Sequence, residues 1–398
     1  MKKILILAAV ATLMTACNNQ PQTTETEETK EEMKQELNLT QEWDKVFPLS
    51  DKVSHRKVTF ETQYGLTLAA DLYEPKAPLL SPQGGKTDSL TNSYSATEES
   101  LTKDSLPSGE GGEGLPAIAV SGPFGAVKEQ SSGLYAMRMA ERGFVALAFD
   151  PSFTGESSGE PRRTASPDIN TEDFMAAVDF LSKQDNVDAD KIGIIGICGW
   201  GGIALNAAAS DTRIKATVAS TMYDIAQCES EGYFGSENTP EQRWTKKRQL
   251  ADLRTKDFAA GKNTTGAGLP DSVPDEAPQF LKDYVAYYKH RAAHPRSLNG
   301  AALWSFTGKQ SFLNQPLLCY ASEIENPVLL VHGENAHSRY FSETAFEKMT
   351  GRKCDGKSMT IGNKEILIVP DAVHCDLYDN LDKIPFDKIV SFYQESMK

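Results

Sequence analysis

The chain of 398 residues is short of positive charge: 41 lysines and arginines face 55 aspartates and glutamates, for a formal charge of −14. No basic stripe offsets that excess, which argues against nucleic acid as a partner, because binding along its backbone requires phosphates to be neutralised. The apolar run at residues 4–14 is about 11 residues long, too few to span a bilayer. Histidine and cysteine are scarce, with six of each, so few side chains can serve as a nucleophile or a base near neutral pH. Five cysteines remain beyond Cys17. That odd number allows two bridges and one free thiol, or no bridge at all.

Lys2 and Lys3, the apolar run and Met14-Thr15-Ala16-Cys17 form an export signal over residues 1–17. Its end resembles a bacterial lipobox. The resemblance implies cleavage before Cys17, lipidation of that cysteine and a membrane partner reached through the lipid anchor. Asn18, in place of an aspartate, implies outer-membrane sorting within the cell envelope. Residues 18–50 are polar and serve as a tether.

From residue 51 onward the pattern becomes that of a folded domain. Residues 56–63 and 66–73 flank Tyr64-Gly65 as an opening hairpin. Residues 76–114 are rich in Ser, Thr, Gly and Pro and form a surface insertion. Apolar runs at 117–121, 144–149, 191–197, 214–220, 328–332 and 366–369 alternate with helical spacing at 131–142 and 171–182, the second capped by Thr171. Continuous apolar strands separated by helices predict an α/β fold with a mostly parallel sheet covered on both faces. Residues 222–322 carry many aromatics without strand patterning and predict a helical cap over the carboxyl end of the sheet. A helix over 384–397 closes the chain.

Gly196-Ile197-Cys198-Gly199-Trp200-Gly201-Gly202 carries the most chemistry, because a buried strand runs there directly into glycines. Such a turn presents a nucleophile, and a thiol at the start of the following helix meets its positive end. A dinucleotide fingerprint would sit after the first strand, and a phosphate loop would need Gly-Lys-Ser or Gly-Lys-Thr at this cluster. Neither condition is met, and no cofactor is expected. His374, after the last strand, is the candidate base, in the nucleophile-acid-histidine order of this elbow type. For the acid, Glu334 at the end of the 328–332 strand leads, with Asp224 as its rival and Asp376 too near His374 in sequence. His332 and His337 flank Glu334 at a spacing that is a weak metal signature, and no metal is expected. The amides of Gly199 and Phe124 are the oxyanion donors, since Pro123 has no N–H. Asp150 and Ser157, lying before the elbow, are expected to be structural.

Together with residues 122–130, 149–157 and 371–378, the elbow resembles the α/β-hydrolase superfamily. The closer likeness is to dienelactone-hydrolase-like and Xaa-Pro-dipeptidyl-peptidase-like bacterial hydrolases. The resemblance implies a cysteine nucleophile at Cys198, a base at His374 and a small ester, lactone or short peptide as substrate. Two positions depart from the pattern: Trp200 stands where the elbow usually has glycine, and Ala336 stands where the family aspartate falls. The oligomeric state is left open.

Overall fold

The computed structural model describes residues 37–76, 114–266 and 268–398. The expected signal ending at Cys17, residues 18–36 of the expected tether and residues 77–113 of the expected insertion lie outside the described residues.

The hairpin consists of β1 (Val53–Glu61) and β2 (Thr67–Pro75), paired antiparallel. The next strands are β3 (Leu115–Ser121), β4 (Val145–Phe149), β5 (Val187–Ile197), β6 (Ala216–Ser220) and β7 (Val328–Gly333). A short β8 (Met359–Ile361) and β9 (Lys364–Val369) complete a nine-stranded sheet in the order β1-β2-β4-β3-β5-β6-β7-β9-β8. From β4 to β9 through the centre the pairing is parallel, while β1, β2 and β8 bring antiparallel pairing to the edges.

Helices α1 (Ser131–Ala140), α2 (Pro167–Leu181) and α3 (Gly199–Ser210) link the first parallel strands. Burial on both faces explains the apolar runs: Val145 to Phe149, Ile194, Ile195 and Val328 to Val331 are all at most 1% exposed. Each such aliphatic side chain removed from water contributes roughly 1.5–3 kcal/mol.

Helix α2 starts four residues earlier than its sequence pattern predicts. Pro167 opens it because its fixed φ suits the first helical position. Thr171 is therefore no cap; its hydroxyl bonds back to the Pro167 carbonyl at 2.5 Å.

The chain leaves β3 for β4 on one side and returns to β5 on the other. Their carboxyl ends therefore open into a crevice at a topological switch point, where open α/β sheets bind ligands. Ser121 of β3 pairs with Gly196 of β5, so the loops carrying Phe124 and Cys198 emerge side by side.

The helical cap lies between β6 and β7. It contains α4 (Ile225–Glu231), α5 (Pro240–Ala260) and α6 (Gln279–Val285), followed by π-helical turns at Ala286–Arg291 and Leu298–Ala302. Its aromatics divide into two groups. Tyr287 and Tyr288 are buried, whereas Trp244 and Phe258 are 64% and 91% exposed on α5. After β7 come α7 (Arg339–Thr350), the single turn α8 (Asp376–Asp379) and the closing α9 (Phe386–Ser396). Among the described residues no helix is long and apolar enough to cross a membrane. All five described cysteines are free thiols.

Candidate active site

Cys198 joins β5 to α3 with φ 58° and ψ −127°, a backbone region that a side-chain-bearing residue occupies only under strain. Neighbouring bonds hold it there: its N–H donates to Ser220 O at 3.0 Å, and its carbonyl accepts from Gly201 and Tyr223 at 2.8 Å each. The glycines are required by close approach. A Cβ on Gly196 would lie 2.1 Å from the Trp200 carbonyl oxygen, and one on Gly201 would lie 2.4 Å from Met222 Cβ. Trp200 departs from the usual elbow without disturbing it, because its ring turns into the core against Phe149 and Phe174, with centroids 6.0 and 5.7 Å away.

Cys198 is buried, 7% exposed, and burial pushes its thiol pKa up. The Tyr378 hydroxyl and the amides of Phe124 and Gly199 hydrogen-bond to it and act in the opposite sense. Both expected amide donors thus converge on Cys198. Phe124 is fixed from behind, because its carbonyl accepts from Asn299 Nδ2 at 2.7 Å while Gly125 O accepts from Ser297 Oγ at 2.9 Å. Asn299 and Ser297 belong to the cap, so no local motif in the sequence points to them.

His374 is 1% exposed, and its Nε2 lies 2.8 Å from the Tyr378 hydroxyl. Tyr378 therefore stands between histidine and thiol, a residue the sequence reading missed. The spacing from His374 to Tyr378 was visible but had no meaning until the turn after β9 and α8 brought the two side chains together. The α8 turn is anchored through Leu377 O and Tyr378 O, which accept from Tyr135 Oη and Ser131 Oγ of α1 at 2.7 and 2.8 Å.

The expected acids do not reach the histidine, and this corrects the sequence-based assignment. Glu334 is exposed, and its carboxylate accepts the Asp371 N–H at 3.1 Å. Asp224 is buried at the start of α4, where it accepts the Gln227 N–H at 3.0 Å. Asp376 accepts the Val373 N–H at 2.8 Å. Asp224 and Asp376 each satisfy an amide of their own turn, and Glu334 satisfies one of the loop after β9.

His374 Nδ1 instead meets two hydroxyls, Ser338 Oγ at 2.6 Å and Thr221 Oγ1 at 2.8 Å. Ser338 Oγ is also 2.9 Å from Nε2 of the fully buried His332, whose Nδ1 lies 2.7 Å from Ser342 Oγ. Burial, with some repulsion from His337 and His332, pushes His374 well below the usual histidine range. Burial also lowers His332 to about 3. The weak metal signature dissolves here: His332 bonds to serines, and His337 bonds to the Tyr223 hydroxyl and stacks on Phe280 at 4.3 Å.

A cavity of about 360 Å³ opens above Cys198. Phe124 and Trp304 form one wall, stacked at 4.6 Å, and Tyr223, Tyr284 and Phe280 form another. Tyr223 Oη joins the opposite wall together, 2.9 Å from Tyr284 Oη and 3.0 Å from Tyr233 Oη. Glu229 and Lys309 are the charged residues in the lining, and they are paired with each other.

Asp150 and Ser157 lie off this cavity. Asp150 joins Glu129 and Glu156 around the fully buried Lys128 ammonium, at 3.0, 2.5 and 2.5 Å respectively. These three carboxylates could group around a metal ion, but the ammonium already supplies a cation to each of them. Ser157 Oγ donates to Asp150 O and accepts from the Ala69 N–H.

Residues 103–374 match the family described as X-Pro dipeptidyl-peptidase (S15 family). The protein PA2218 of Pseudomonas aeruginosa is 50% identical over 394 residues, covering 98% of this chain and 94% of the relative. YcjY of Escherichia coli K12 is 31% identical over 289 residues, covering 71% and 89% of the two chains. The crystal structure of PA2218 superposes with a TM-score of 0.77 at 51% identity, covering 91% of this chain and 100% of that one. The elbow at a switch point, the helical cap and these matches agree: the chain belongs to the S15 family of X-Pro dipeptidyl-peptidases, within the α/β hydrolases.

Proposed function

We propose that the protein hydrolyses small carboxylic esters or lactones through an acyl intermediate on Cys198, in the manner of dienelactone hydrolases. The observation that carries this reading is a thiol on a strained elbow with two backbone amides beside it and an imidazole one hydroxyl away. Attack by sulfur on the carbonyl carbon places the developing oxyanion at the amides of Gly199 and Phe124. His374 takes the thiol proton through Tyr378, returns it to the leaving oxygen and then activates water against the thioester.

The cavity favours an acyl or alcohol group with an apolar, flat portion that can lie between aromatic walls. A peptidase of Xaa-Pro type is the second reading, favoured by the family. It would need a free carboxylate for the substrate amine, and the cap acids are engaged: Glu229 by Lys309, Glu237 by Lys246 at 2.9 Å and Glu231 by Gln227 at 3.1 Å. For that reason the ester reading ranks first.

The test is a p-nitrophenyl ester applied to the full chain, with mass detection of the Cys198 peptide. The expected result is an initial burst, steady turnover and an acyl adduct on Cys198. Cys198→Ala is expected to lower the rate by on the order of 10³-fold or more. Full activity in that variant would overturn the assignment. Faster cleavage of X-Pro peptides than of short esters would move the reading to the peptidase. One equivalent of product without turnover would indicate a binding protein on a hydrolase fold.

A further inference from the structure

We infer that Thr221, Ser338 and His332 together replace the carboxylate of the triad, acting as positioning residues that keep the proton of His374 on Nδ1. The inference rests on the roles proposed for Cys198 and His374.

Nδ1 of His374 faces two hydroxyl oxygens, Ser338 Oγ at 2.6 Å and Thr221 Oγ1 at 2.8 Å, and neither can carry a negative charge near neutral pH. The direction of the chain is set at Thr221. Its hydroxyl also lies 3.3 Å from the His374 carbonyl oxygen, which can only accept, and we assign the Thr221 proton to that oxygen. The lone pairs of Thr221 Oγ1 then face Nδ1 and call for a proton on that nitrogen. With Nδ1–H in place, Ser338 Oγ accepts as well, and its own proton turns to His332 Nε2 at 2.9 Å. His332 is then protonated on Nδ1, which donates to Ser342 Oγ at 2.7 Å. Nδ1–H of His374, the Ser338 hydroxyl and Nδ1–H of His332 each have an acceptor, and Nε2 of His374 is left with a lone pair toward Tyr378.

A second observation concerns Ser338 itself. It stands at the amino terminus of α7, where a serine ordinarily caps the helix, yet its side chain makes no capping bond. The hydroxyl is committed to the two imidazoles instead. Its partner Ser342 is one helical turn further on, so both serines face β7 from one side of α7, and His332 comes from β7 itself.

In the acylation step, the S–C bond forms as the carbonyl pair moves to oxygen. The thiol proton passes to Tyr378 Oη while the Tyr378 proton passes to His374 Nε2. The resulting imidazolium donates Nδ1–H into Ser338, whose own hydroxyl is polarised toward His332. Collapse re-forms the carbonyl and breaks the bond to the leaving oxygen, which takes the proton from His374 through Tyr378 and departs as the alcohol. A reversed chain, with His374 protonated on Nε2, could not accept the thiol proton.

Nitrogen-15 spectra of the histidine side chains in the full chain test this without a substrate. The expected result is that His374 and His332 are both protonated on Nδ1 and bare on Nε2, in the parent and in Cys198→Ala. Protonation of His374 on Nε2, or of His332 on Nε2, would overturn the inference.

Kinetics supply the second arm. Ser338→Ala is expected to lower kcat by about 10- to 100-fold with little change in KM, the usual cost of losing an orienting partner. Ser338→Thr, which keeps the hydroxyl, is expected to recover most of kcat. Equal kcat in parent and Ser338→Ala would also overturn the inference. The two readings fail separately: activity that survives Cys198→Ala defeats the nucleophile, whereas loss of activity there with an Nε2-protonated His374 defeats the relay and the proton route through it while leaving Cys198 as the nucleophile.

Discussion

Two buried polar clusters, one around Lys128 and one around His374, are built on opposite principles. Around Lys128 everything is charged. Its ammonium meets three carboxylates, Lys57 reaches Glu156 at 2.7 Å, Arg296 bridges Asp44 and Glu129 at 2.7 and 2.8 Å, and Lys45 meets Asp71 at 3.0 Å. Around His374 the partners are hydroxyls and imidazoles, and burial holds His374 and His332 neutral. Buried ions with several partners have few alternative arrangements, so they fix the relative positions of the 37–48 segment, β1, the Phe124 loop and the cap. A neutral hydrogen-bonded chain can take up charge during a reaction and release it afterwards. In this chain, ion pairs shape the scaffold and the cluster around His374 is left uncharged at rest.

The comparison is sharpened most strongly by removing the central cation. Lys128→Met leaves three carboxylates without their shared ammonium and is expected to destabilise the fold by about 3–5 kcal/mol, read from urea unfolding. A loss below about 1 kcal/mol would mean that the cluster is not what holds the loop.

A smaller effect is expected on the neutral side. Tyr378→Phe removes the hydroxyl between Nε2 and sulfur and is expected to lower kcat about 10²-fold with KM little changed. An unchanged kcat would show that the imidazole reaches the thiol directly.

The smallest effect is one of pH. The base works neutral, and burial depresses the His374 pKa, so the neutral form persists below the usual 6.5 and is lost only as pH falls through the lowered value. The acid limb of kcat/KM is therefore expected below pH 6.5; a limb above it would contradict a buried base. Folding follows the complementary sign: below pH 6.5 the unfolded chain takes up the proton first, so this histidine makes stability fall with pH. Glu129 and Asp173, both raised to about 7 mainly by burial, oppose that trend, because they bind protons more readily when folded.

Much of the scaffold could be read from local pattern. The strands that form the parallel centre, the opening hairpin and the closing helix follow from apolar runs and turn residues, which act over a few positions. What escaped was local competition or short range: β8 is three residues long, and the start of α2 was set by Pro167 rather than by Thr171. In the site, Cys198, Gly199, Phe124 and His374 were named from motif spacing, and the fold brings all four to one crevice. The acid could not be read correctly because Glu334 and Asp224 have the right chemistry and the right strand ends but spend their oxygens on neighbouring amides.

The sequence by itself determined the elbow, since only glycines tolerate the approach of α3 to β5 and only one cysteine stands at that turn. It also determined the layered α/β class, because continuous apolar strands must be buried on both faces. The partners of His374 were decided by tertiary structure alone. Thr221, His332, Ser338 and Tyr378 come from the end of β6, the end of β7, the start of α7 and the turn α8, and no short-range pattern links them. Hydroxyl groups of serine, threonine and tyrosine are common along the chain. What makes these three hydroxyls, and the His332 imidazole behind Ser338, particular is distance, and that is fixed only once the sheet has aligned its carboxyl ends.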